Sequence, residues 1–598
     1  MDILAAVRAE GRLDDKALSK IIHQHDKALA AGSRPFSKKR ILPYYLKVKE
    51  SDPDRWSTWN IDLELEKKLL ETLRMKPRRT ASGVATITVL TKPWPCSSAC
   101  VYCPNDVRMP KSYLSDEPAC QRAERNYFDP YLQVVSRLRA LTHMGHPTDK
   151  IELIILGGTW SDYPHEYQTW FVCELFRALN DGEEAERNAR ERRASYHRHG
   201  LSSQGEDLER LTSTHQAAVD AGHLTYNHAV DFLYGEASPW KSIGEWQASD
   251  FDVLSSRQHA NESARHRVVG LVVETRPDAI TAETLMLLRR LGCTKVQMGI
   301  QSLDAHILKM SNRRIDVGQI GKAFDLARVF GFKMHVHAMV NLPGSTPASD
   351  KQDYEQLVSD PRFLPDEVKL YPCVLVSGTA LGQLHADGRW KPYREDELVD
   401  VLATDLTATP PFMRISRMIR DISAHDIVAG NRKTNLRQLV EQRVKEKDEP
   451  VSEIRYREIS TGDVDIDQLE LALLSYETTV TEERFMQWVT VENRIAGFLR
   501  LSLPKEEYIL QNQAALPIGP QEAMIREVHI YGRTSELHES GAGAQHLGLG
   551  RKLVEKACDL ARERGYRSIN VISSVGTRGY YRKLGFQDNG LYQRKDLC

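Results

Sequence analysis

Val84-Ala85-Thr86-Ile87-Thr88-Val89-Leu90 is followed, after a five-residue connection, by Cys96-Ser97-Ser98-Ala99-Cys100-Val101-Tyr102-Cys103. The first stretch is rich in β-branched and apolar residues and reads as a strand. The second places three thiols, spaced C-x3-C-x2-C, on the loop that leaves it. β-rich runs of the same kind recur at 151–156, 268–273, 295–300, 333–340 and 367–375, separated by segments long enough for a helix. Strand, helix and strand alternating in this way predict parallel pairing, and six units predict an incomplete barrel, a partial (β/α)6 α/β architecture. Parallel barrels gather their chemistry at the C-terminal ends of the strands. Gly157-Gly158-Thr159, Glu274-Thr275-Arg276-Pro277 and Gln301-Ser302 fall there, as the cysteines do.

Three thiolates on one loop hold three irons of a cubane and leave the fourth iron open to a further ligand. With nine cysteines in 598 residues, random scatter produces this spacing about two times in a thousand. A structural zinc site completed by Cys120 or His143 is the alternative, although paired zinc ligands are usually spaced otherwise. The remaining cysteines are isolated and read as small buried hydrophobes. His335 and His337 share one face of a strand, which can turn both into the barrel, and a satisfied structural pair is the favoured reading.

Outside the barrel the texture changes. Residues 1–80 are helical and basic, with Lys38, Lys39, Arg40, Lys76, Arg78 and Arg79 interleaved with aromatic residues. Residues 181–265 form a charged insertion in the 81–394 barrel segment, read as a partly mobile excursion. Residues 395–450 read as a basic helical linker containing Arg414, Arg417, Arg420, Arg432, Lys433 and Arg437. Segment 451–598 is domain-sized. Within it Gln545-His546-Leu547-Gly548-Leu549-Gly550 opens an amphipathic helix, so that free backbone N–H groups and the helix dipole suit a pyrophosphate. A short helix with Tyr580 and Tyr581 follows; a phenol there suits a general acid, and the sequence leaves open which of the two acts.

The chain length of 598 residues favours several domains. The formal net charge of −1 conceals basic clusters that suit salt-sensitive phosphate contacts, although solvated helix faces explain either cluster alone. No apolar run reads as a leader or a membrane span, and the thiol pattern suits a reducing compartment, so a cytoplasmic protein is expected.

The cysteine loop, with Tyr102 before its last thiol, and Gly157-Gly158-Thr159-Trp160 resemble the radical S-adenosylmethionine (SAM) superfamily. Gln545 to Gly550 and the tyrosine helix resemble the GNAT acetyltransferase core. Their order, with Lys76 to Gly83, Glu274 to Asp278 and Arg526 to Gly532, resembles the catalytic subunit of Elongator and its bacterial and archaeal single-chain relatives. That resemblance implies a radical SAM barrel with a C-terminal GNAT-like α/β domain and a helical basic N-terminal extension. It implies a 4Fe-4S cluster on Cys96, Cys100 and Cys103, SAM near Gly157, Gly158, Thr159 and Glu274, and acetyl-CoA at Gln545 to Gly550 with Tyr581. It also implies an enzyme converting the wobble uridine of tRNA to 5-carboxymethyluridine, with the acetyl methyl carbon attached at C5 by radical coupling. The implied partners are the tRNA anticodon stem-loop, acetyl-CoA, an electron donor, and either a second copy or Elongator-like accessory subunits, with neither DNA nor membrane. The short C-x3-C spacing is that of a bacterial-type member, and the insertion is longer than the family pattern. A lysine acetyltransferase with a structural cluster, or an RNA-binding scaffold, are the rival readings. No cysteine cluster lies between 374 and 557, so no linker zinc site is expected.

Overall fold

The computed structural model describes residues 1–27, 35–76, 80, 82–459, 466–531 and 548–597. Its first sheet runs in the order β1 (Ala85–Leu90), β2 (Lys150–Leu156), β3 (Arg267–Thr275), β4 (Lys295–Gln301), β5 (Lys333–Val340), β6 (Glu367–Pro372) and β8 (Arg414–Arg417). Every neighbouring pair is parallel. Helices such as Pro130–His143, Ala282–Arg290 and Val317–Val329 make the crossovers. Thr281 and Asp316 cap the last two, each side chain accepting a backbone N–H of the first turn. A short ribbon of β7 (Leu375–Val376) and β9 (Ile427–Ala429) stands beside the sheet.

Strand β1 alternates from Ala85 to Val89. On β1, Ala85, Ile87 and Val89 are buried against the helices, whereas Thr86 and Thr88 face a central cavity. The same period of two places Glu152 and Ile154 of β2, Lys295 and Gln297 of β4, and His335 and His337 of β5 on the cavity side.

Two readings of the sequence need correction. Segment 395–450 is not a helical linker throughout, because it contributes β8, a seventh barrel strand, and β9. Arg414-Ile415-Ser416-Arg417 carries only one apolar residue, so composition concealed it. Nor is the insertion an excursion. Its helices Ala185–Arg198, Gly205–Asp220, Tyr226–Tyr234 and Phe251–Asn261 bury Ala189, Tyr196, Ala229 and Leu254 in the main core.

The second sheet runs β10 (Glu470–Glu477), β11 (Thr481–Val489), β12 (Ile495–Pro504), β13 (Glu522–Ile530), β14 (Ser568–Val571), β16 (Tyr592–Asp596), β15 (Gln587–Asn589). Helix Leu549–Glu563 packs on it through Leu553, Val554, Ala557 and Ala561. β13 and β14 pair in parallel only from Glu522↔Ser568 to Ile525↔Val571. Beyond that point β13 continues alone along β12, and the two strands splay.

This sheet sits against the N-terminal ends of the barrel strands. Arg526 of β13 donates two hydrogen bonds to Asp366, just before β6, at 2.7 and 2.8 Å, and Lys333 at the start of β5 pairs with Glu527. The Ser574 hydroxyl donates to Val268 O at 3.0 Å. The N-terminal helices form a separate small core around Leu4, Val7, Leu42, Tyr45 and Leu69.

Candidate active site

The cysteine loop is held at the C-terminal mouth of the barrel by partners from several elements. Asn227 of the insertion brackets Cys96, accepting from its N–H at 3.0 Å and donating to its carbonyl at 2.9 Å. Ser97 donates to Asp162, and Arg276 in turn donates to Ser97. Asn312 donates to Ala99 O at 2.8 Å, and Leu381 N–H donates to Val101 O at 2.8 Å. Arg313 donates to the Cys100 sulfur at 3.7 Å. Burial resists ionisation of Cys100, yet the Arg313 guanidinium and the Ser98 hydroxyl hold its thiol below the ordinary range. Burial pushes the Cys103 thiol up to about 11.

All three sulfur-bearing residues line the cavity. Cys120 is buried in the core and His143 is exposed on its helix, so neither completes a zinc site here. Tetrahedral zinc would draw its sulfurs to within ~4 Å of one another. Among the described residues the only trio of His, Cys, Asp or Glu ligand atoms within 4.8 Å is Asp116, His425 and Asp426. Three well-anchored thiols, with no fourth ligand grouped with them among the described residues, fit a cubane that keeps one iron open.

Gly157 and Gly158 follow β2. A Cβ on Gly157 would stand 1.8 Å from the Thr91 hydroxyl oxygen, and Gly158 adopts φ +77°. Gly158, Thr159 and Glu274 line the cavity beside the cysteines. Glu274 accepts from the Tyr113 hydroxyl at 2.5 Å and faces His337 Nδ1 at 3.6 Å. This backbone turn and carboxylate fit the amino acid moiety of SAM.

Gly548 caps helix Leu549–Glu563 with φ +74°. The Tyr580 hydroxyl lies 3.1 Å from where a Cβ on Gly550 would stand. Gln545, His546 and Leu547 lie outside the described residues. Tyr581 is buried and lines the cavity at the β13/β14 splay, and Tyr580 is 41% exposed. Burial raises both phenols, Tyr581 further. The turn, the splay and a protonated phenol fit a CoA thioester.

The basic residues divide. Lys39, Arg40 and Lys76 are exposed, and Lys38 pairs with Asp15. Arg78 and Arg79 lie outside the described residues. Arg417 pairs with Asp421 at the cavity, which Arg414 and Arg420 also line. Arg432 donates to the carbonyls of Ile427 and Val428, and Lys433 pairs with Glu395. Arg437 is tied to Glu453 and to Ile415 O. The second cluster is therefore spread over β8, loops and the first turn of helix Leu436–Glu446, half of it turned to the cavity, rather than one solvated helix face.

Several cavity residues went unremarked in the sequence. Lys369 of β6 donates to Gln297 at 2.6 Å and contacts His337 Nε2 at 3.0 Å. Burial lowers its pKa to about 7. His335 and His337 do find partners, Ser416 Oγ at 2.8 Å and Gln297 Oε1 at 3.1 Å, and their shared strand face turns them into the cavity wall. Only strand phase, read against a barrel axis, signals these positions.

The Radical SAM superfamily model matches residues 249–357, the Radical_SAM C-terminal domain 365–446, and the Acetyltransferase (GNAT) family 455–586. The cysteine loop lies before the first of these matches. A tRNA uridine(34) acetyltransferase of Methanocaldococcus infernus is 34% identical over 89% of this chain and 90% of its own length. Elongator complex protein 3 of Homo sapiens is 31% identical over 89% of this chain and 88% of its own. The solved structure of the archaeal Methanocaldococcus infernus Elp3 with an N-terminal deletion superposes with TM-score 0.64 at 30% identity, covering 86% of this chain and 99% of that one. With both halves matched and relatives this similar along nearly nine-tenths of its length, the chain belongs to the Elongator complex protein 3 family, which joins a radical SAM barrel to a GNAT acetyltransferase domain.

Proposed function

We propose that the protein is a cytoplasmic tRNA-modifying transferase that forms 5-carboxymethyluridine at the wobble position, taking the added carbons from acetyl-CoA. One observation carries this reading. A single cavity of about 1300 Å³ is lined at one end by Cys96, Cys100 and Cys103 and at the other by β13, the end of β14 and Tyr581. Two chemistries that open into one space can act on one substrate.

When bound, a 4Fe-4S cluster with SAM supplies a carbon-centred radical able to take hydrogen from an acetyl methyl group. The chain's own residues hold and orient. Cys96, Cys100 and Cys103 would carry the cluster. Gly157, Gly158, Thr159 and Glu274 would seat SAM. The Gly548 turn, with Leu549, Gly550 and the preceding Gln545, His546 and Leu547, would hold the CoA pyrophosphate through backbone N–H groups. Burial keeps the Tyr581 hydroxyl protonated, which suits it to donate toward a departing thiolate, and Tyr580 is the alternative donor. Lys38, Lys39, Arg40, Lys76, Arg78 and Arg79, with Arg417, Arg432 and Lys433, are the proposed phosphate contacts for an anticodon stem-loop, whose splayed base would enter at the mouth. An electron donor is required, and a second copy or accessory subunits would be further partners.

The test is anaerobic incubation of cluster-loaded protein with SAM, reductant, tRNA and acetyl-CoA labelled in its methyl carbon. Labelled carboxymethyluridine in the nucleoside digest is expected. SAM cleavage without labelled nucleoside would sink the proposal.

A further inference from the structure

The interior of a closed (β/α) barrel is filled by bulky branched side chains. Here strand phase turns Thr86, Glu152, Lys295, Gln297, His335 and Lys369 inward instead. Their hydrogen bonds run around the wall: Thr86 to Glu152 at 3.4 Å, Lys369 to Gln297 at 2.6 Å, His335 to Ser416 at 2.8 Å. Polar groups bonded along a wall do not fill the axis. The cavity consequently continues from the cysteine loop to the GNAT strands.

Four buried nitrogens of residues lining this cavity have no hydrogen-bond partner among the described residues: Nε of Arg313 near the mouth, Nδ1 of His335 on β5, and Nη1 of Arg500 and Nε2 of His529 at the floor. Buried polar atoms are nearly always satisfied, so an orphan facing a cavity points to a ligand. His529 stands on the part of β13 that lies past the splay, stacked on Phe498 with ring centroids 5.7 Å apart. The Lys333–Glu527 pair sits at the same level. From Lys333 at the floor to Met339, level with Tyr371 near the mouth, β5 advances six residues, a rise of about 20 Å.

We propose that this lumen is an acyl channel: the thioester arm of acetyl-CoA enters the barrel from its floor, past His529, and the acetyl group meets the radical site from below while the nucleotide reaches it from the mouth. The inference rests on the functional reading above. The phosphate-binding turn and Tyr581 lie on the floor side, and the arm between phosphate and thioester carries two neutral amides. Thr86, Gln297 and His335 can bond such amides, and the lysines between them are already engaged within the wall, Lys295 by Glu367 and Lys369 by Gln297.

The channel is tested by narrowing it. Thr86→Phe on β1 and Ser416→Phe on β8 each push a ring into the lumen from one of the two edge strands of the sheet, away from the cysteines and the Gly548 turn. Thr86→Ser and Ser416→Thr serve as controls. SAM cleavage should persist in the Phe variants, while CoA, which carries the same arm, binds more weakly and labelled nucleoside falls by ~100-fold, the order of loss that misplacing a reacting group causes. Labelled nucleoside at the wild-type rate in both Phe variants would overturn the channel. A second measurement does not depend on tRNA chemistry: an acyl-CoA with a diazirine on a short acyl chain is photolysed on the wild-type protein. Cross-links to the inward residues of β4, β5 and β6 support the channel, and cross-links confined to the outer surface overturn it. A wild-type protein that makes no labelled nucleoside yet cross-links in the lumen would overturn the proposed product and keep the channel.

Discussion

Asp366 shows what a single residue contributes at the junction of the two sheets. It is fully buried, accepts from Met334 N–H at 2.8 Å and faces Arg526 and Arg500. Burial opposes its ionisation, yet the two guanidiniums hold its carboxyl well below the usual range. Removing one partner of such a pair leaves the other charge uncompensated, so Asp366→Asn is expected to cost about 3–5 kcal/mol in urea unfolding. The sign with pH follows from the depressed folded pKa. The stabilisation is complete above the ordinary carboxylate value of about 4 and is lost as pH falls through the lower folded value. The stability gap between wild type and Asp366→Asn should therefore be widest near neutrality and close on acidification; a gap that widens in acid would refute the assignment. At the mouth, Cys100→Ser should abolish the visible absorbance of a reconstituted cluster. Gly157→Ala forces a methyl group onto the Thr91 hydroxyl. Overpacking of that kind costs ~1–3 kcal/mol, and a melting temperature equal to wild type would show that the turn relaxes. The cysteine spacing and the glycine turns were legible at this scale because spacing and special backbone conformations leave marks in a sequence. Arg313 and Asn227 were not, since a lone Arg or Asn acquires meaning only from what the fold sets beside it.

Among the elements, the insertion departs furthest from what composition suggests. Its charges look like those of a solvated segment, but its helices deliver Tyr226, whose hydroxyl donates to Met109 O at 2.7 Å, and Asn227, which brackets Cys96. The insertion thus holds one edge of the cysteine loop. Asn227→Ala should leave the fold intact but shorten the time over which a loaded cluster survives dilution into chelator, and unchanged cluster lifetime would remove that role. Strands with apolar runs were legible, as were the crossover lengths that made them parallel. β8 was hidden because half of its residues are arginine, and it is recognisable only once β6 presents an unpaired edge beside it.

In the whole molecule, the two sheets share a buried seam of Arg526, Asp366, Glu483, Arg500, Lys333 and Glu527. Separating them would expose these charges without their partners. The two modules are accordingly expected to unfold in one calorimetric transition, and two resolved transitions would contradict that coupling. The order of the modules was legible from their motifs. Their placement at opposite ends of one lumen was not, because it depends on which ends of the barrel strands receive β13, and no local signal encodes a docking face. Among the described residues no helix is long and apolar enough to cross a membrane.

The first sheet also never closes: β1 and β8 are its two edges and do not pair. A closed barrel has a circumference fixed by strand number and stagger. An unclosed one can dilate like a split ring, its edges drawing apart while every rung between neighbouring strands stays intact, so making room for a guest costs the sheet none of its own bonds.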